Sequence, residues 1–216
     1  MSVAAKICGL TSVEAVKAAI RGGAGFVGFV FYPPSPRNID PERAASLVRG
    51  IPAGVKRVGL FVDADDDTLT AILARVPLDL LQLHGNETPR RVAEVKARFG
   101  RGIIKAIPIA GPDDPNAALP YLDVADWLLF DAKPPRDTDG ALPGGNGLAF
   151  DWQILGSRAW KKPWMLSGGL TAKNLADAVA ASHAKAVDVS SGVETGRGVK
   201  DVAKIGEFLA AARNLP

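Results

Sequence analysis

Cysteine is almost missing from this chain: Cys8 is the only one in 216 residues. One thiol cannot close an internal disulfide, which excludes a disulfide-stapled scaffold and fits a reducing compartment. Histidine is nearly as scarce. His84 and His183 stand far apart with no paired ligand spacing, so the common zinc patterns are excluded and no metal is expected. The charge excess is only +3 at neutral pH, spread along the chain. No basic run is long enough for a nucleic-acid arm, although a mildly basic surface favours an anionic small molecule. No stretch reaches the roughly eighteen uninterrupted apolar residues of a membrane span. The N-terminus, Met-Ser-Val-Ala-Ala-Lys, lacks a basic n-region and an apolar h-region. Neither a G-x-G-x-x-G fingerprint after the first apolar run nor a Walker A sequence occurs. These absences describe a cytoplasmic chain with no nucleic-acid or membrane partner.

What is present is a regular beat. Hydrophobic residues make up 47% of the chain, enough for one sizeable core. Short apolar runs at Val3–Ile7, Phe26–Phe31, Val58–Val62, Leu80–Leu83, Ile103–Ile107, Trp127–Phe130, Trp164–Leu166 and Ala186–Val189 read as strands. They do not alternate cleanly, as expected for strands covered on both faces. Helical periodicity falls between them, at Val13–Arg21, Arg43–Arg49, Thr68–Arg75, Pro89–Phe99, Asn174–Ala181 and Val202–Arg213. Ala117–Leu122 and Asp151–Gly156 read as short and irregular. Eight strands with interleaved helices predict an α/β fold, a single (β/α)8 barrel over residues 1–216. An open doubly wound sheet is the competing arrangement.

In a parallel barrel the strand C-termini carry the chemistry. Cys8 ends the first run, and Asp131 follows the sixth as a candidate general acid or base. Pro33-Pro34-Ser35-Pro36-Arg37 is a stiffened loop whose guanidinium is suited to two-pronged capture of a carboxylate. His84, after the fourth run, counts among the candidate substrate-binding residues, as a proton carrier or as a histidine that packs and hydrogen-bonds near the site. The turns Ser167-Gly168-Gly169 and Ser190-Ser191-Gly192 follow runs seven and eight, where barrels often hold a phosphate on backbone N–H groups. Lys133–Gly147 reads as a long loop at the same end. Asp65-Asp66-Asp67 precedes a helix and reads as a capping run rather than a metal cluster.

Taken together, Lys6-Ile7-Cys8-Gly9-Leu10-Thr11, Gly28-Phe29-Val30-Phe31 with Ser35-Pro36-Arg37, and Val58-Gly59-Leu60-Phe61-Val62 resemble the phosphoribosylanthranilate isomerase family. The resemblance continues through Leu81–Glu87, Leu129-Phe130-Asp131, Ser167-Gly168-Gly169-Leu170 and Val187–Glu194, in order across nearly the whole chain. It implies a cofactor-free barrel that performs an Amadori rearrangement in tryptophan biosynthesis. It further implies Cys8 as general base, Asp131 as general acid and Arg37 on the anthranilate carboxylate. The phosphate would lie on Gly168, Gly169, Ser190, Ser191 and Gly192. The implied partner is the phosphorylated sugar–anthranilate substrate, with the chain a monomer or weak homo-oligomer. Two positions depart from the family pattern: Asn146 in Gly144-Gly145-Asn146-Gly147, where threonine is usual, and Ser167, where alanine is usual. Ser167 is expected to touch the phosphate or bond to backbone.

A free thiol near pKa 8.5 is a weak base at neutral pH. Lys6 shares a strand face with Cys8, and the expectation is that nearby cations lower the thiol pKa. A histidine-pathway type of sugar-phosphate isomerase and a non-catalytic phosphate-binding barrel remain as alternative readings.

Overall fold

Eight parallel strands close into a barrel in the computed structural model, which describes residues 3–133, 144, 145 and 147–216. They are β1 (Ala4–Cys8), β2 (Phe26–Val30), β3 (Lys56–Phe61), β4 (Leu80–Leu83), β5 (Gly102–Ile109), β6 (Trp127–Ala132), β7 (Trp164–Leu166) and β8 (Ala186–Val189). Each strand pairs with its sequence neighbours, and β1 closes the ring on β8 from Ala4↔Ala186 to Ile7↔Val189. A two-stranded hairpin, β9 (Glu194–Gly196) and β10 (Val199–Lys200), follows β8.

The helices are α1 (Val13–Gly22), α2 (Pro41–Val48), α3 (Asp66–Leu73), α4 (Pro89–Phe99), α5 (Gln153–Gly156), α6 (Leu175–Ser182) and α7 (Val202–Arg213). Their starts follow local chemistry. Ser12, Asp40, Asp65, Thr88 and Asp201 each cap a helix by accepting backbone N–H bonds, with proline next at Pro41 and Pro89. The acidic run is therefore a helix start: Asp65 takes the N–H of Thr68, and Asp66 pairs with Arg91 and Arg98. Among the described residues no group of side chains is arranged to hold a metal ion. A 3₁₀ helix at Asp114–Tyr121 replaces a full helix after β5, because Pro115 and Pro120 remove donors from so short a segment.

Two apolar layers build the body. The larger lies between strands and helices and holds Ile7, Val27, Leu81, Ile103 and Phe130 together with Phe208 and Leu209 of α7. The smaller fills the lower barrel interior with Phe26, Val58, Leu80, Ile104, Leu129, Met165 and Ala186. Because side chains alternate along a strand, the next inward positions up the barrel are two residues further on. Those positions include Lys6 (above Ala4), Gln82, Asp131, Ser167 and Asp188, all buried, beside Gly28, Leu60 and Ala106. The interior thus turns from apolar to charged toward the strand C-termini. No helix among the described residues is long and apolar enough to cross a membrane.

Candidate active site

The polar upper layer opens into a pocket lined by Cys8, Arg37, Gln82, His84, Asp131, Gly168, Gly169, Asp188, Ser190, Ser191 and Gly192, among others. Every site residue expected from the sequence faces this one space. Cys8 is the last residue of β1, and Asp131 lies within β6 rather than after it, since β6 extends to Ala132.

Cys8 sits beside a buried ion pair. Lys6 Nζ donates to Asp188 Oδ1 at 2.7 Å, and Ser167 Oγ donates to Asp188 Oδ2 at 3.2 Å. A Cβ added at Gly28 would lie 2.9 Å from Cys8 Sγ and 3.3 Å from Lys6 Nζ, so both head groups crowd over the same bare α-carbon. Burial works against the Lys6 ammonium, yet Asp188 and Cys8 outweigh it and raise its pKa. The thiol behaves otherwise than expected. Burial pushes the Cys8 pKa above its ordinary value; Lys6 and Lys200 pull it down, Asp188 pushes it up, and burial wins. Lys6 does not activate the thiol on its own, because its charge is already matched by Asp188. Ser167, likewise, bonds to a carboxylate rather than to backbone.

The acid side is ordered by neighbours in β4. Gln82 Nε2 lies 2.8 Å from His84 Nδ1, and His84 Nε2 lies 3.3 Å from Asp131 Oδ2. With the amide nitrogen on Nδ1, the ring proton sits on Nε2 and points at Asp131. Gln82 Oε1 is then a buried acceptor with no partner among the described residues. Asp131 Oδ1 accepts the Ala132 N–H at 2.9 Å, which fixes the carboxyl plane. His84 is thus a hydrogen-bonded neighbour of the candidate acid. The loop segment at Gly144 covers the pair so closely that a Cβ there would fall 2.5 Å from His84 Nε2 and 2.6 Å from Asp131 Oδ2.

Arg37 is buried, and its fork is already engaged. Nε and Nη2 donate to Glu194 Oε1 and Oε2 at 2.8 and 2.9 Å, and Nη2 also donates to Gly145 O at 3.1 Å. The two-pronged edge expected to take a carboxylate is therefore filled by the protein's own glutamate. Lys200 joins the cluster, donating to Glu194 Oε1 at 2.7 Å and to both Ser190 oxygens. Ser190 Oγ in turn donates to Cys8 O at 3.2 Å.

On the remaining side, Gly168 and Gly169 adopt positive φ of 92° and 63°. Among the described residues their N–H groups have no hydrogen-bond acceptor. Ser191 and Gly192 open a single 3₁₀ turn against them. Asn146 and residues 134–143, most of the long loop, lie outside the described residues.

Gln82, Asp188, Glu194 and Lys200 were not singled out by sequence reasoning. For Gln82 and Asp188 a signal existed: a polar residue inside an otherwise apolar strand must be paired or functional.

A parallel barrel with a thiol, a carboxyl and two glycine turns around its C-terminal mouth has the arrangement of a (β/α)8-barrel enzyme. The sequence profile described as N-(5'phosphoribosyl)anthranilate (PRA) isomerase matches residues 5–211. An N-(5'-phosphoribosyl)anthranilate isomerase of Paramagnetospirillum magneticum is 56% identical over 213 residues, covering 99% of this chain and 98% of that protein. The crystal structure of the phosphoribosyl anthranilate isomerase of Thermotoga maritima superposes with a TM-score of 0.87 at 36% identity, covering 99% of this chain and 100% of that one. A crystal structure of phosphoribosyl anthranilate isomerase in complex with reduced 1-(o-carboxyphenylamino)-1-deoxyribulose 5-phosphate gives a TM-score of 0.84 at 35% identity, again covering 99% and 100%. The chain belongs to the N-(5'-phosphoribosyl)anthranilate isomerase family.

Proposed function

We propose that this chain converts N-(5-phosphoribosyl)anthranilate to 1-(2-carboxyphenylamino)-1-deoxyribulose 5-phosphate, a step of tryptophan biosynthesis in the cytoplasm. The observation that carries the reading is that Cys8 and Asp131 line one pocket from different strands, within a chain of this family. Asp131 protonates the ribose ring oxygen, the C1–O bond breaks, and the nitrogen lone pair forms an iminium. Cys8, as thiolate, then removes the C2 proton, and the electron pair moves into the iminium to give an enolamine. Protonation at C1 with loss of the C2 hydroxyl proton yields the ketone. The substrate's own nitrogen is the electron sink, so the chemistry needs no cofactor.

The Cys8 thiol is protonated in the free enzyme, held so by burial. The iminium brings a positive charge to the pocket at the moment the base is needed, which favours the thiolate. Arg37 meets the anthranilate carboxylate with its remaining nitrogen. The N–H groups at Gly168 and Gly169, without an acceptor among the described residues, and the adjacent turn of Ser190, Ser191 and Gly192 suit a phosphate. The test follows the loss of substrate fluorescence on adding the purified chain. Steady consumption with formation of the ketone is expected, and none would reject the reading.

A further inference from the structure

One buried carboxylate has no part in that chemistry. Glu194, at the start of β9, receives four donors: Arg37 Nε and Lys200 Nζ on Oε1, Arg37 Nη2 and the Gly198 N–H (3.0 Å) on Oε2. A carboxylate has about four lone-pair positions, so Glu194 is saturated and has none left for a ligand. Burial raises its pKa, but Arg37, Lys200 and the Gly198 N–H outweigh that and hold it below the ordinary value, so it stays charged. Its own backbone is pinned by Lys204, which donates to Glu194 O at 2.7 Å.

The consequence falls on Arg37. Its Nε proton and both Nη2 protons are spent on Glu194 and Gly145, and among the described residues Nη1 donates to nothing. Two cations share one carboxylate, so the cluster keeps a net positive charge at the pocket wall. We propose that Glu194 is the positioning residue that makes the site select a substrate bearing an anionic ring substituent, by locking Arg37 so that Nη1 alone is presented to it. This rests on the reading that Arg37 meets the anthranilate carboxylate. An unlocked arginine would lose rotamer freedom on binding; a locked one has lost it on folding.

Replacing Glu194 by glutamine puts an amide NH2 against two donors whichever way the amide is turned, Arg37 Nε with Lys200 or Arg37 Nη2 with the Gly198 N–H, so a contact to Arg37 must break. Calorimetric titration with reduced 1-(o-carboxyphenylamino)-1-deoxyribulose 5-phosphate, and with its counterpart lacking the carboxylate, reads the effect. Glu194→Gln is expected to weaken the carboxylated ligand about tenfold or more, the scale of one charge-assisted hydrogen bond, and the other by less than about threefold. In an Arg37→Ala background, where Glu194 keeps Lys200 and Gly198, the same change should add less than about threefold. Equal losses on both ligands, or no loss on the carboxylated one, overturn the proposal while leaving the Arg37 assignment intact. Arg37→Ala weakening both ligands equally removes the assignment and the proposal with it. Should Glu194→Gln not fold, Glu194→Asp, one methylene short, is held to the same criterion with a smaller selective loss.

Discussion

At the residue scale the site is a set of matched charges in which only a few groups are left free to react. Cys8 lies in the field of two lysines, Lys6 already paired with Asp188 and Lys200 already shared between Glu194 and Ser190. Its thiol therefore keeps its proton at neutral pH, and two consequences follow. Folded-state affinity for the proton exceeds that of the unfolded chain. The contribution of Cys8 to stability is then complete below the unfolded thiol pKa and is lost as pH rises through the folded value. Catalysis runs the other way: kcat/KM should climb with pH from neutral toward the alkaline side as thiolate forms. Since Cys8 is the chain's single cysteine, thiolate absorbance reports it alone. Lys200→Met removes a cation that lowers the thiol pKa, so the absorbance titration should move further alkaline. A shift toward neutrality would contradict the charge pattern. For the reaction itself, Cys8→Ala and Asp131→Ala should each reduce kcat by about 10²–10⁴-fold, the usual range for a lost acid or base. Circular dichroism and the melting temperature should show the fold intact. Near-normal turnover in either variant would remove that residue from the mechanism.

At the element scale, the turns after β7 and β8 depend on one another. A Cβ at Gly192 would fall 1.8 Å from Leu170 O, inside any permissible contact. The turn carrying Ser191 and Gly192 lies directly on the turn carrying Gly168 and Gly169, and the two cannot be moved apart without spoiling both. Gly192→Ala should therefore raise KM for the phosphorylated substrate strongly while leaving most of the strand ladder in place. A KM within about twofold of the parent, where only a few tenths of a kcal/mol would be lost, would show that the turns are not a joint phosphate site. The hairpin of β9 and β10, which follows the β8 turn, has a comparable role, bringing Glu194 against Arg37 and Lys200 against Ser190. Sequence reasoning placed the Gly-Gly and Ser-Gly turns correctly because glycine at a strand end is a local signal. It missed the hairpin residues because Glu194 and Lys200 gain meaning only from Arg37, more than 150 positions earlier in the chain.

At the scale of the whole molecule, the ring is closed twice, once by β1 on β8 and once by α7 on α1. Leu209 of α7 lies against Gly22 so closely that a Cβ there would meet its Cδ1 at 2.3 Å. Phe208 and Ile205 are fully buried beside it. A ring shut by its last helix should unfold as one cooperative unit. Phe208→Ala removes the largest buried side chain of that closure and should cost about 3–5 kcal/mol. Urea unfolding should show this as a lower midpoint with one transition and an unchanged slope. Two resolved transitions would mean that α7 separates before the barrel opens.

The alternation that decides the barrel interior was only half visible in the sequence. Helices cover the outer face of every strand, so outward positions are apolar too, and the period of two is masked. It survives only where a polar residue interrupts, as in Leu80-Leu81-Gln82-Leu83 and Ala186-Val187-Asp188-Val189. The chain's order of apolar runs, capping residues and glycine turns was enough to determine eight strands, a parallel barrel, and which strand ends carry Cys8, Asp131 and the phosphate-type turns. These features depend on neighbours a few residues apart. Which charge sits beside which was decided only in the folded molecule. Lys6 stands two residues from Cys8 in sequence, yet its partner is Asp188; Arg37 has the right fork for a carboxylate, yet Glu194 fills it. Ion pairing in a desolvated interior depends on distances across the barrel, and no local pattern encodes them. That is why the lone cysteine could be located from the sequence but its protonation state could not.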